Sequence, residues 1–256
     1  MLCHGFCGVK ELLLPAFAEF FAARGFVAMT FDYRGFGESG GEPGRLVPEL
    51  QISDIQAALG CLAAQPGVDP GRLGLWGTSF GGANAIVAAS KDPRVKALAV
   101  QITFGDGERV ITGSMQPEEK QRLLEMLAKM KEKREATGKE MMVGLSKVLS
   151  DPQSRAFYEE YRERFPALDT KIPFLTTLET LAHKPKRVLG EVKVPIHFTG
   201  ARQDGVNPPS ETQVLYDQAV GTKALLWVDA THYDIYTGQA LEAVASAQVA
   251  WFTQYL

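Results

Sequence analysis

Cysteine is scarce in this 256-residue chain: Cys3, Cys7 and Cys61 make three, an odd number without metal-type pairing. That argues against a disulfide scaffold and favours a reducing, cytoplasmic compartment. An excess of one charge is also missing. The 27 Lys+Arg against 30 Asp+Glu leave a net charge of −3, which gives no support to a nucleic-acid or membrane partner. A long apolar run is lacking too. The best stretch, Leu12 to Phe31, is broken by Pro15, Glu19, Arg24 and Gly25, whereas a bilayer span needs about 20 predominantly apolar residues. No basic segment followed by an apolar one opens the chain, so no signal peptide is read. Internal repeats are absent as well.

What is there reads as alternating strands and helices. Pro15 to Arg24 is expected to be a helix with Phe17, Phe20 and Phe21 on one side and Gly25 as its stop. Phe26 to Phe31 is expected to be a strand buried on both faces. After a glycine-rich loop over residues 34–44, Ile52, Ile55, Leu59 and Leu62 are spaced as one helical face. Leu73 to Trp76 predicts a strand, Phe80 to Ser90 a small-residue helix, and Val95 to Ile102 a third strand. The pattern resumes with a strand at Pro195 to Thr199, a helix near Pro209 to Ala219, a strand at Ala224 to Val228 and a final helix. The last helix has Leu241, Val244, Ala245, Gln248 and Phe252 on one face. This rhythm predicts an α/β fold with a mostly parallel sheet flanked by helices.

Between these blocks the composition changes. Residues 117–165 hold 21 charged residues in 49, 11 basic and 10 acidic. The signs cancel, as on a solvated helical face, and Leu123, Leu127 and Met130 keep an apolar stripe. The expected organisation is a core over 1–105 and 186–256 with a helical cap, 106–185, inserted in it.

Chemistry concentrates at Gly77-Thr78-Ser79-Phe80-Gly81, a G-x-S-x-G match. About 0.1 chance matches are expected from this composition, but the match also lies between a predicted strand and a predicted helix, as a nucleophile elbow requires. A serine needs a base oriented by an acid. Of the four histidines, His197 lies within a strand, His183 in the cap and His4 in a loop that it is read to brace. His232 follows the last strand at the sheet edge and is the candidate base. Asp204 follows the preceding strand and is the candidate acid, with Asp106, Asp229 and Asp234 as competitors; Asp234 reads as a capping or surface residue. Backbone N–H groups of Phe80 and Phe6 are the candidate oxyanion donors, with Cys7 as the alternative to Phe6. No cofactor-binding or metal-ligating residue is assigned. Gly35 to Gly40 fits G-x-G-x-x-G, but Pro43, Gly44 and Pro48 delay the helix that a dinucleotide site needs, so it reads as a structural loop in which Asp32 and Arg34 pair.

Taken together, Cys3 to Glu11, Phe31 to Ser39, Gly77 to Gly82, Gly200 to Pro208 and Thr231 to Tyr233 resemble the α/β-hydrolase superfamily. The order Ser79, Asp204, His232 is the one that superfamily uses. The wording is most similar to dienelactone hydrolases, X-Pro dipeptidyl-peptidase-like esterases and a fungal polyketide-transferase group. The likeness is weak in the cap. It implies a serine hydrolase that cleaves a small-molecule carboxylic ester or thioester through an acyl-enzyme on Ser79. Alternatives are transfer of the acyl group to an alcohol or amine, and a ligand-binding protein without turnover. The oligomeric state is left open, with a homodimer as one candidate. Relatives carry two or three strands ahead of the His4-Gly5 segment, so the chain is read as truncated or mis-started at Met1.

Overall fold

The computed structural model describes residues 1–256. In chain order the elements are β1 (Leu2–Cys3), α1 (Leu14–Ala22), α2 (Pro48–Ala63), β2 (Leu73–Thr78), α3 (Phe80–Lys91), β3 (Val95–Gln101), α4 (Gly107–Thr112) and α5 (Pro117–Thr137). Then follow β4 (Met142–Gly144), α6 (Leu145–Val148), α7 (Pro152–Tyr161), β5 (Lys171–Pro173), α8 (Thr176–Ala182), β6 (Ile196–Ala201), α9 (Pro209–Gln218), β7 (Lys223–Val228) and α10 (Gly238–Tyr255).

Five strands form one parallel sheet in the order β1-β2-β3-β6-β7. The period of two along each strand divides the core into two layers. On one face Leu2, Trp76, Ala97 and Ala99 pack with Phe17 and Phe21 of α1 and with Val244, Ala245 and Phe252 of α10. On the other, Cys3, Leu75, Leu98, Val100 and Phe198 pack with Ile55 and Leu59 of α2, Ile86 of α3 and Leu215 of α9. A parallel sheet covered on both faces explains why the strands read as continuous apolar runs.

The segment Phe26–Phe31 departs from expectation. It makes a single bridge, Leu2 to Thr30, with the Leu2 N–H donating to the Met29 carbonyl at 2.9 Å. Its only partner, β1, is two residues long, so no ladder can propagate. At the sheet margin it is also not sandwiched, and Val27 stays 55% exposed.

The charged region folds mainly as helices. In α5, Leu127 is fully buried against Leu175 and Leu181, with Leu123 and Met130 beside it. A reciprocal bond pair between Gln116 and Glu119 caps its start. The sequence pattern did not reveal the antiparallel β4–β5 pair, whose three-residue strands are too short to show a period.

Candidate active site

Ser79, Asp204 and His232 all follow C-terminal ends of parallel strands, β2, β6 and β7, where α/β sheets place their ligand sites. Ser79 sits between β2 and α3 at φ 52° and ψ −124°, a conformation that costs a non-glycine residue about 1–3 kcal/mol. The flanking glycines make this turn possible. A Cβ at Gly77 would lie 2.5 Å from the Gly81 carbonyl oxygen, and one at Gly81 would lie 2.2 Å from that of His4. The turn is therefore pressed against the β1 loop, and Gly5 lies close to the Ser79 side chain.

His232 and Asp204 form a buried pair, with 2.8 Å between Nδ1 and Oδ2. The other carboxylate oxygen of Asp204 accepts from the N–H groups of Val206 (2.9 Å) and Asn207 (2.8 Å). These bonds fix the carboxylate plane, and Oδ2 is left for the imidazole. Ser79 and His232 line one cavity, but the hydrogen bond between them is open. Ser79 Oγ instead accepts from Asn207 Nδ2 at 3.3 Å, an arrangement common in sites without substrate. The same Nδ2 donates to the Ile102 carbonyl at 2.7 Å, so both amide hydrogens of Asn207 are used.

Phe80 opens α3, so its N–H has no acceptor within the helix. The N–H groups of Phe6 and Cys7 likewise donate to no protein group. Phe6 lines the cavity, and its ring meets Phe80 edge-on at 5.6 Å between centroids. The cavity is partly open to solvent and mostly apolar, and the space open to a water-sized sphere is about 70 Å³. Leu12 and Leu13 border it from one side; Leu145, Leu149, Phe157 and Leu168, from the segment between β3 and β6, also border it. No lysine, arginine or carboxylate lines it.

The other polar candidates have structural partners. His4 Nε2–H donates to the Leu12 carbonyl at 2.6 Å and braces the loop, since Nε2 meets an oxygen that can only accept. His183 stacks on Phe80 at 5.4 Å, and His197 is packed near Trp251. Burial lowers all three to about 4. Asp106 caps α4 and pairs with Lys186 at 2.6 Å. Asp229 is exposed beside Arg202, and Asp234 caps Thr231.

The expected Asp32–Arg34 pair does not form. Arg34 reaches Asp54 on α2, with 2.8 Å from Nε. Asp32 instead accepts from the N–H (2.7 Å) and ammonium (2.9 Å) of Lys10. Burial would raise the Asp32 carboxyl, but these bonds and one from the Glu38 N–H outweigh it and hold the group lower. Different backbone donors separate the two residues: the Arg34 N–H also donates to Asp54 (3.1 Å), whereas Asp32 is held by the N–H groups of Lys10 and Glu38. Glu11, Asp32 and Glu38 form an acidic cluster, and the Lys10 ammonium already bridges all three.

A family model described as serine aminopeptidase, S33, matches residues 1–233. The protein is an α/β hydrolase of this family. The hydrolase is 48% identical, over all of its length and 90% of the other chain, to a 31.7 kDa Escherichia coli protein from the traX-finO intergenic region. It is 31% identical to the thiohydrolase aneE of Aspergillus aculeatus over 100% of this chain and 85% of that one. Among solved structures, DcsB in complex with its substrate analogue is similar at a TM-score of 0.84 and 26% identity, covering 100% of this chain and 90% of that one. No helix of the hydrolase is long and apolar enough to cross a membrane.

Two polar residues of the site have no separate signal in the sequence. Asn207 lies 128 positions from Ser79; its place three residues after Asp204 was the only available clue. Gln153 on α7 bonds to both the Asp204 and the His232 loops, and nothing local distinguishes it from other glutamines of the charged region.

Proposed function

We propose that the hydrolase cleaves small-molecule carboxylic esters or thioesters through an acyl-enzyme on Ser79. The observation that carries this reading is the buried His232–Asp204 pair facing the same apolar cavity as a serine held on a strained strand-to-helix turn. Ser79 Oγ attacks the acyl carbonyl carbon while His232 Nε2 takes the hydroxyl proton. Asp204 holds Nδ1–H and offsets the charge on the imidazolium. The tetrahedral oxyanion is received by the N–H groups of Phe80 and Phe6. His232 then returns the proton to the leaving oxygen or sulfur, and the alcohol or thiol departs. Water, deprotonated by His232, attacks the acyl-enzyme and releases the carboxylic acid and Ser79.

The cavity lining supports an uncharged, apolar acyl group, because a charged one would be desolvated without a partner. Residues 106–185 act in this reading as a cap that supplies much of that lining. Three unpaired thiols support a reducing, cytoplasmic setting. The test is reaction with a fluorophosphonate probe together with turnover of nitrophenyl esters and thioesters. Wild type should label and turn over, and Ser79→Ala should do neither while melting as a folded protein. A folded wild type that fails both assays would refute the reading, and release of acyl-alcohol in place of acid would redirect it to acyl transfer.

A further inference from the structure

One side chain of the inserted region reaches both loops that carry the acid and the base. Gln153 is the second residue of α7, just after the Asp151 cap. Its Oε1 accepts from the N–H groups of Gly205 (3.1 Å) and His232 (3.2 Å), and its Nε2 donates to the Gln203 carbonyl (2.7 Å). Gln203 and Gly205 flank Asp204, so the amide grips the acid loop on both sides of the carboxylate and the base at its own backbone. The two loops are also joined by the N–H groups of Arg202 and Gln203, which donate to the Val228 (2.9 Å) and Ala230 (3.0 Å) carbonyls, by the exposed Arg202–Asp229 ion pair and by the Asp204–His232 pair itself. The same helix carries Ser154, Phe157 and Tyr158 into the cavity wall. Phe157 stacks on Tyr233 at 4.2 Å, and Ser154 Oγ meets the Tyr233 hydroxyl at 2.9 Å. Whatever presses on this wall therefore acts on a helix tied directly to His232 and its neighbour.

We propose that Gln153 is a positioning residue that couples α7, and hence an acyl group filling the cavity, to the placement of the His232 ring against Ser79. The inference rests on the serine-hydrolase reading above. It gives a reason for the open Ser79–His232 bond: the last adjustment of the ring is completed when the cavity is occupied. A misplacement of about 1 Å at a reacting atom can cost about 100-fold in rate, so three hydrogen bonds to the two loops are sufficient leverage. The coupling predicts that longer acyl groups raise kcat as well as affinity, and that this gain passes through Gln153.

The experiment compares nitrophenyl acetate with nitrophenyl hexanoate in wild type, Gln153→Met and Gln153→Ala. Methionine keeps the length and bulk and removes all three hydrogen bonds. The expected result is a fall in kcat of about 10- to 100-fold with KM for the acetate changed by less than about 2-fold, and loss of the hexanoate advantage in kcat. Amide exchange at Gly205 and His232 should quicken in both variants, while exchange across β3 should not. Wild-type kcat and an unchanged hexanoate-to-acetate ratio in a folded variant would overturn the proposal. So would unchanged exchange at the two amides, which can be read in Gln153→Ala even if Gln153→Met does not fold. Failure of the serine-hydrolase reading is separable, because wild type would then not label with the fluorophosphonate probe.

Discussion

Replacing Asp204 by asparagine tests the site at its most buried point. Oδ1 of Asp204 accepts two backbone N–H groups, from Val206 and Asn207, and Oδ2 faces His232 Nδ1 at 2.8 Å. The introduced amide must keep its oxygen toward the two N–H donors, so its NH₂ is turned toward Nδ1. His232 then has to accept at Nδ1 and carry its proton on Nε2, the nitrogen that should receive the proton of Ser79. Flipping the amide would leave two buried donors unpaired, at about 1–3 kcal/mol each. At the lower end the flipped form is populated to a few per cent, which sets the ceiling on residual activity. A wrong tautomer in a Ser-His-Asp site lowers kcat by about 10⁴, equivalent to about 5 kcal/mol of transition-state stabilisation. Stability should change by less than about 1 kcal/mol, or roughly 2–4 °C in melting temperature for a chain of this size, because the backbone donors stay paired. Ester turnover and a melting curve on Asp204→Asn measure both. Retention of more than a tenth of wild-type kcat in the folded variant would refute the assignment of Asp204 as the orienting acid.

The elbow glycines and the buried histidines give two more predictions. Gly81→Ala would place a methyl 2.2 Å from the His4 carbonyl oxygen and 2.3 Å from that of Cys3; backbone on both sides cannot yield, so a loss of about 1–3 kcal/mol in stability is expected. Chemical denaturation checks it, and a change below about 0.5 kcal/mol would show that the elbow is not wedged against the β1 loop. His4, His183 and His197 are lowered by burial from the ordinary 6.5 to about 4. Between these values the unfolded chain binds more protons than the folded one, so stability is full above about pH 6.5 and falls as pH drops toward 4. Denaturation at pH 7 and pH 5 should differ by a few kcal/mol, on the order of 2 for each histidine; a flat profile would mean that these rings gain solvent in the folded state.

Legibility divided along the range of the interaction. The Gly77–Gly81 turn could be read because its requirement is local: a strained residue between a strand and a helix needs small neighbours on both sides. His232 and Asp204 could be read because parallel β–α units return the chain to one sheet edge, and the loops after strands meet there. The element pattern was legible wherever a helix or strand was long enough to show its period. It failed at Phe26–Phe31, where the apolar run suggested a buried strand and the neighbour, β1, offered only two residues to pair with.

By itself, the sequence determined the scarcity of cysteine, the balance of charge, the α/β rhythm and the Ser79, Asp204, His232 order. Each of these is a property of composition or of neighbours along the chain. Tertiary structure decided which charges pair, sending Arg34 to Asp54 and Asp32 to Lys10. It also decided that residues between Leu145 and Leu168 line the cavity and that Gln153 and Asn207 reach the site from 79 and 128 positions away. The physical reason is that a hydrogen bond of 3 Å fixes direction and distance between two side chains, and neither is encoded in the residues that flank them.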